Sequence, residues 1–279
     1  MGYLILAVAS SAAVSVVLRC SEKYVKNTMG MFVANYGVCL LLACVFTGGA
    51  PLFPEAEGRW LALFLGVVNG LLYLMNFVLL QKNMQYNGIV LPAAFMKLGV
   101  LVPTVMAVTV FGERLGLSQG LGIAAAVSAI LLLHLEKGKE KKSGRSLWLV
   151  ALLLLSGFTD SMANIYDKLG SPQLKNQYLF YTFIAALLIA VLFCGLQKQR
   201  ICGGDVIFGL ILGIPNYFSA RFLLLALGSV PAVITYPFYS VATILVVSVL
   251  GVFLFRERIS RQKWGALGII LAALVLLNL

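Results

Sequence analysis

Histidine occurs once in this chain of 279 residues, acidic side chains ten times, and cysteine five times. No two cysteines stand at a spacing that seats a metal, and the lone His134 lies at the edge of an apolar run beside a charged stretch. Without paired imidazoles, clustered thiols or a nucleophile beside a base, the chain is read as no enzyme, with no catalytic residue, no metal and no cofactor. Cys39, Cys44 and Cys194 fall inside apolar runs and read as small core residues. Charge is scarce too: 11% of residues are charged against 61% hydrophobic, with a mean hydropathy of +0.98. That leaves far too little polar surface to cover a water-soluble globule, so the solvent of this chain is a bilayer. A net charge of +11 would suggest nucleic acid in a soluble protein. Here most Lys and Arg lie in the short breaks between apolar runs, as in membrane proteins, so no nucleic acid partner is expected. The first apolar run lacks a basic segment before it and is expected to stay as a permanent span.

A hydrocarbon core of ~30 Å takes about 20 helical residues to cross. By that measure the chain has ten spans, over 2–19, 29–48, 59–81, 87–111, 117–135, 146–166, 177–196, 205–228, 231–255 and 261–278. The runs are too long and continuous for strands, and the alternation of a membrane barrel is absent. The only sustained hydrophilic stretch, 136–145, separates an N-terminal half (1–135) from a C-terminal half (146–279).

The halves echo one another. Phe111-Gly112-Glu113-Arg114-Leu115 is matched by Phe255-Arg256-Glu257-Arg258-Ile259, each followed by a Gln (Gln119, Gln262) and, three residues on, a Gly (Gly122, Gly265). Upstream, Ser11, Ser15, Arg19, Glu22 and Lys23 keep step with Ser156, Asp160, Asn164, Asp167 and Lys168, and Gly66-x-x-Asn69 matches Gly213-x-x-Asn216. Such self-similarity is a duplication. With five spans per half the second copy enters the membrane from the opposite side, which makes the expected fold an all-α integral membrane protein of two inverted five-helix repeats. Fifteen Lys and Arg lie in the odd-numbered loops, against four (Arg59, Arg114, Lys168, Lys175) in the even ones. That bias puts the 136–145 linker in the cytoplasm and both termini outside. The two Glu-Arg hairpins then read as charged caps on tight turns at the membrane surface.

Three charges remain at depth: Lys97 in span four, Asp160 in span six and Arg221 in span eight. A buried charge in a membrane costs at least a few kcal/mol and persists only if paired, wetted or used. Polar residues recur at helical spacing on four spans: Ser11, Ser15 and Arg19; Asn69, Tyr73 and Asn76; Ser156, Asp160 and Asn164; Thr235, Tyr239 and Thr243. Each set lies along one helix face, which turns inward in lipid. Interhelical hydrogen bonding explains any one of them; four stripes with charges among them favour a water-accessible path. Pro92 with Pro103, and Pro231 with Pro237, kink spans four and nine, and Tyr217 joins Tyr73 and Tyr239 as a candidate aromatic surround. The competing reading is an internal ion pair of Asp160 with Lys97 or Arg221 that locks the bundle.

With two five-span halves, each closed by a Phe-x-Glu-Arg hairpin, a Gln and a Gly-rich last span, the sequence resembles the drug/metabolite transporter superfamily in its EamA-type branch. That resemblance covers essentially the whole chain. It implies a transporter of a small metabolite whose cavity is lined by spans three, four, eight and nine, in agreement with Asn69, Tyr73, Lys97, Asn216, Arg221 and Tyr239. The small four-helix multidrug members carry a membrane-embedded Glu in their first span, where this chain has Ser11 and Ser15, so Asp160 is the acidic candidate for coupling.

The expectation is therefore a monomeric secondary transporter, an exporter in a cytoplasmic cell membrane. Its partners are the lipid bilayer and a small-molecule substrate, best an amino acid or related carboxylate. The expected binding residues are Asn69, Tyr73, Asn76, Lys97, Asn216, Tyr217, Arg221 and Tyr239, with Asp160 as coupling group or ion-pair member. The alternatives are a choline-like quaternary amine, a phosphorylated metabolite, or a scaffold or receptor that transports nothing.

Overall fold

A computed structural model describes residues 2–99, 101–102, 116–118, 120–122, 124–125, 128, 144–197, 199–230, 232–256 and 261–276. The first Glu-Arg hairpin, most of the second, most of span five, His134, Pro103, Pro231 and residues 136–143 of the linker lie outside them. The described residues are mostly helical, with no strand among them. The helices are α1 (Gly2–Ser21), α2 (Thr28–Phe46), α3 (Arg59–Asn87), α4 (Val90–Leu98), α5 (Gly144–Leu169), α6 (Lys175–Gln197), α7 (Gly203–Leu227), α8 (Ala232–Phe255) and α9 (Arg261–Leu276), with a 3-10 turn at Pro172–Leu174 before α6.

Among the described residues, seven helices are long and apolar enough to cross a membrane: α1, α2, α3, α5, α6, α7 and α8. Their bounds fall close to the expected spans, except that α3 continues past residue 81 to Asn87. The extension is polar and in part buried. Asn83 is fully buried and its amide donates to the carbonyls of Leu79 (2.8 Å) and Trp148 (3.0 Å). Lys82 lies with its ammonium 4.0 Å over the Trp148 ring. The break before α4 falls at Gly88, whose φ of +77° is left-handed backbone that glycine adopts without steric cost.

The chain forms two compact units, residues 1–78 with 162–229 and residues 79–161 with 230–279. Each unit draws on both sequence halves. In the first, α2 packs on α6 and α7, and α1 packs on α7. The close approaches are made by glycine. A Cβ on Gly213 of α7 would lie 2.6 Å from the Val38 Cβ and 2.7 Å from the Asn35 carbonyl oxygen of α2. One on Gly66 of α3 would lie 2.6 Å from the Tyr181 Cβ and 3.2 Å from the Tyr178 carbonyl oxygen of α6. Small residues let backbones meet this closely where no hydrophobic force drives helices together.

The ends of this unit are tied by polar groups. Asp205, fully buried in the first turn of α7, accepts from the backbone N–H groups of Lys26 (2.8 Å), Asn27 (3.1 Å) and Cys202 (2.7 Å). A carboxylate there also faces the positive end of the helix dipole. It binds the α1–α2 loop to the start of α7, and Asn27 adds a bond from its amide to the Gln199 carbonyl (3.2 Å). At the opposite end the Tyr181 hydroxyl donates to the Leu52 carbonyl (2.7 Å) and the Gln177 amide to that of Pro51 (3.4 Å). In the second unit α8 packs on α4 and α9, and α9 on α4. There α4 meets α5 where Gly99 faces Ser156 and Gly157, and the Ser156 hydroxyl donates to the Met96 carbonyl (2.8 Å).

Candidate functional site

Asn69, Tyr73, Asn76, Asn216, Tyr217 and Arg221 belong to the first unit, and Lys97, Tyr239 and Asp160 to the second. Most members of the polar stripes turn inward: Ser11, Ser15, Asn69, Asn76, Ser156, Thr235, Tyr239 and Thr243 are buried, while Tyr73, Asp160 and Asn164 are half-buried. Arg19 instead pairs with Glu22 three residues on, at the end of its own helix.

In the first unit the repeated Gly-x-x-Asn pattern does the same thing twice. Each asparagine lies nearly one helical turn after its glycine and so reaches the helix that the glycine touches. The Asn216 amide donates to the Asn35 side-chain oxygen on α2 (3.2 Å), and the Asn69 amide donates to the Tyr178 hydroxyl on α6 (2.8 Å). The register also matches. Asn35 and Val38 receive Gly213 and Asn216 as Tyr178 and Tyr181 receive Gly66 and Asn69.

Arg221 lies two turns above the helix interior of Gly213. Its guanidinium, part-buried, donates to the Asn176 side-chain oxygen (2.9 Å) and the Tyr217 hydroxyl (3.3 Å) and stacks 4.1 Å from the Phe46 ring. Among the described residues all its partners are neutral. A guanidinium is a planar fork of donors that suits carboxylate and phosphate. From Tyr217 a chain of rings runs inward. Phe183 lies 5.7 Å from Tyr217, and both Tyr73 (6.1 Å) and Tyr36 (6.5 Å) lie against Phe183. Phe77 closes the group beside Tyr36 (6.4 Å) and Tyr73 (6.3 Å).

Among these rings sit buried polar atoms with no hydrogen-bond partner among the described residues: the Tyr36 hydroxyl, the side-chain oxygens of Asn69 and Asn76, and the Asn35 amide nitrogen. Leaving such a group unmet costs about 1–3 kcal/mol, so native proteins meet it with water or a ligand. Tyr36, Asn35, Phe183 and Asn176 were not singled out from sequence. Only Asn35, a polar residue amid an apolar run, carried a signal there.

In the second unit Lys97 is 5% exposed, and its ammonium lies 3.6 Å over the Tyr239 ring. Asp160 is its electrostatic neighbour. The lysine charge is thus met by an acid and an aromatic face, whereas the Arg221 charge is met by neutral groups. Among the described residues no three His, Cys, Asp or Glu side chains converge on a point where a metal would sit.

No described protein family matches the sequence. The chain is 28% identical over 283 residues to an uncharacterized protein of Haemophilus influenzae, covering 97% of this chain and 94% of that one. It also superposes on a protein of known crystal structure with a TM-score of 0.66 at 12% identity, over 100% of this chain and 99% of the other, which makes them alike in fold. The chain is therefore a multi-pass helical membrane protein with a fold already seen in a crystal.

Proposed function

We propose that the protein is a secondary transporter of the drug/metabolite transporter superfamily, EamA type, built of ten helices in two inverted five-helix repeats. Its substrate is a small carboxylate, an amino acid in the first instance. The observation that carries this reading is Arg221, a guanidinium inside a membrane helix, held in place by Asn176, Tyr217 and Phe46 and met by no carboxylate among the described residues. A charge so placed is costly unless it binds something. The rings of Tyr36, Tyr73 and Phe183, with the Tyr36 hydroxyl and the side-chain oxygens of Asn69 and Asn76 unmet among the described residues, supply an amphipathic path beside it.

The reciprocal seating of Gly66/Asn69 on α6 and Gly213/Asn216 on α2 supports the duplication. So does the placement of the α1–α2 and α6–α7 loops at one end of their unit and the α2–α3 loop with the start of α6 at the other. In an inverted repeat α2 and α6 are counterparts that run in opposite directions, and this placement agrees with that. The charge bias places the odd loops in the cytoplasm and the termini outside, in an inner cell membrane, with export of substrate by a monomer. Lys97 and Asp160 act as coupling pair or lock.

Uptake into sealed vesicles containing only this protein tests the reading, with amino acids, organic acids, phosphorylated sugars and quaternary amines as the panel. Accumulation of an anionic or zwitterionic compound that disappears in Arg221→Gln supports it. Preference for a quaternary amine, unchanged in Arg221→Gln, points to a cationic substrate. No flux of any class leaves a scaffold or receptor.

A further inference from the structure

Where α3 begins, a groove of about 220 Å³ is lined by Phe53, Arg59, Trp60, Leu63 and Tyr181. It is smaller than the ~300–1,000 Å³ of ordinary small-molecule pockets. It lies at the end of a membrane-crossing helix, beside the loop whose Leu52 carbonyl takes the Tyr181 hydroxyl. Its cation is Arg59, half-buried, with the guanidinium 5.2 Å from the Trp60 ring. No hydrogen bond or ion pair joins Arg59 to an acid among the described residues. Phe53 is 66% exposed and Trp60 69%. From Trp60 an exposed apolar lane continues along α3 through Phe64, Val67, Leu71 and Met75, at the three- and four-residue steps of one helix face.

We propose that this groove is a phospholipid site, in which Arg59 takes the phosphate, Trp60 and Phe53 bracket the glycerol region, and the acyl chains lie along the lane on α3. The groove alone would suit any small phosphate. The lane commits the occupant to a lipid, because a free headgroup has nothing to lay along it. A guanidinium fits a phosphodiester as a planar two-donor fork, and exposed Trp at a helix end sits at headgroup level. Glu55 and Glu57, exposed on the loop just before Arg59, favour a headgroup that carries an ammonium over one that carries only hydroxyls. The expected ligand class is therefore a phosphatidylethanolamine of the leaflet facing the α2–α3 loop. This site is independent of the transport reading.

The test uses the full chain, delipidated in mild detergent, with dioleoylphosphatidylethanolamine added in mixed micelles and bound lipid counted by native mass spectrometry. One tightly retained lipid is expected. Arg59→Gln and Trp60→Ala should weaken its retention about tenfold or more, and Arg59→Lys by less, since an ammonium lacks the fork. Dioleoylphosphatidylglycerol should bind more weakly than the ethanolamine lipid. Soluble phosphoethanolamine at the same concentration should leave no adduct. Equal retention of lipid by Arg59→Gln, Arg59→Lys and wild type overturns the proposal. So does capture of soluble phosphoethanolamine as strong as that of the lipid, which would make the groove a phosphate site. A protein that dimerises through this face with no lipid effect overturns it as well.

Discussion

Replacing Arg221 with Gln separates a charge that holds substrate from a charge that holds the fold. In the empty protein the change removes the bonds to Asn176 and Tyr217 and the stacking on Phe46, the last worth about 1–2 kcal/mol in a partly desolvated setting. It also relieves the desolvation of a guanidinium, which costs several kcal/mol. A Gln amide keeps one donor within reach of Asn176. These terms oppose one another, so the net change is expected within about 1 kcal/mol, or roughly 2–4 °C in melting temperature for a chain of this size.

Substrate binding has no such offset. A hydrogen bond to a charged group is worth about 1.5–3 kcal/mol, so losing the fork should weaken binding of a carboxylate by about tenfold to a hundredfold. Arg221→Lys should recover part of that, because the charge returns without the two-donor geometry. The assay is a thermal-shift screen of amino acids and organic acids on the wild type, followed by titration calorimetry of the best ligand on all three proteins. If Arg221→Gln binds that ligand as tightly as wild type while melting more than about 10 °C lower, Arg221 serves the fold and not the substrate.

Lys97→Gln is expected to behave in the opposite way, lowering stability because it removes the positive charge that neighbours Asp160, with Asp160→Asn in the same chain restoring most of the loss. An unchanged melting temperature with transport abolished would instead assign Lys97 to the substrate. Gly66→Leu and Gly213→Leu should each destabilise by at least ~1–3 kcal/mol, because the new Cβ would start 2.6 Å from a partner Cβ. Gly195→Ala, whose Cβ would meet nothing within 4 Å, should not lower the melting temperature. Gly138→Cys, in a chain lacking the native cysteines, should resist an impermeant thiol reagent added outside intact cells; modification there would invert the proposed orientation.

The helices were legible because apolar runs of about twenty residues have few other uses, and α2, α3, α6 and α7 start within a few residues of where composition places them. The end of α3 was not. Residues 82–86 read as a loop by hydropathy, yet Asn83 is buried, with the Trp148 carbonyl, more than sixty positions away, accepting a hydrogen bond from its amide. The echo of Gly66-x-x-Asn69 in Gly213-x-x-Asn216 was plain in the sequence, but its meaning was not. Spacing shows which face an asparagine occupies and says nothing of the helix opposite, so Asn35 and Tyr178 as recipients had to come from the fold. The depth of Arg221 and Lys97 could be read from their positions within spans. That one guanidinium meets neutral partners while the ammonium meets Tyr239 and an acidic neighbour depends on Asn176, Phe46 and Tyr239, residues with no pattern linking them to either charge.

The crossed seating of the halves sets a schedule for biogenesis. Asn69 donates to a residue 109 positions later, and Asn35 accepts from one 181 positions later. At ~5–20 residues per second of synthesis, those partners emerge about 5–20 s and about 10–35 s after the asparagines themselves. For that interval α2 and α3 present side-chain amides with no native acceptor or donor to meet them, and the backbone grooves that Gly209 and Gly213 will fill stand open. The nascent N-terminal half must therefore wait in the translocon, in the lee of an insertase, or at the wetter margin of the bilayer until α6 and α7 arrive.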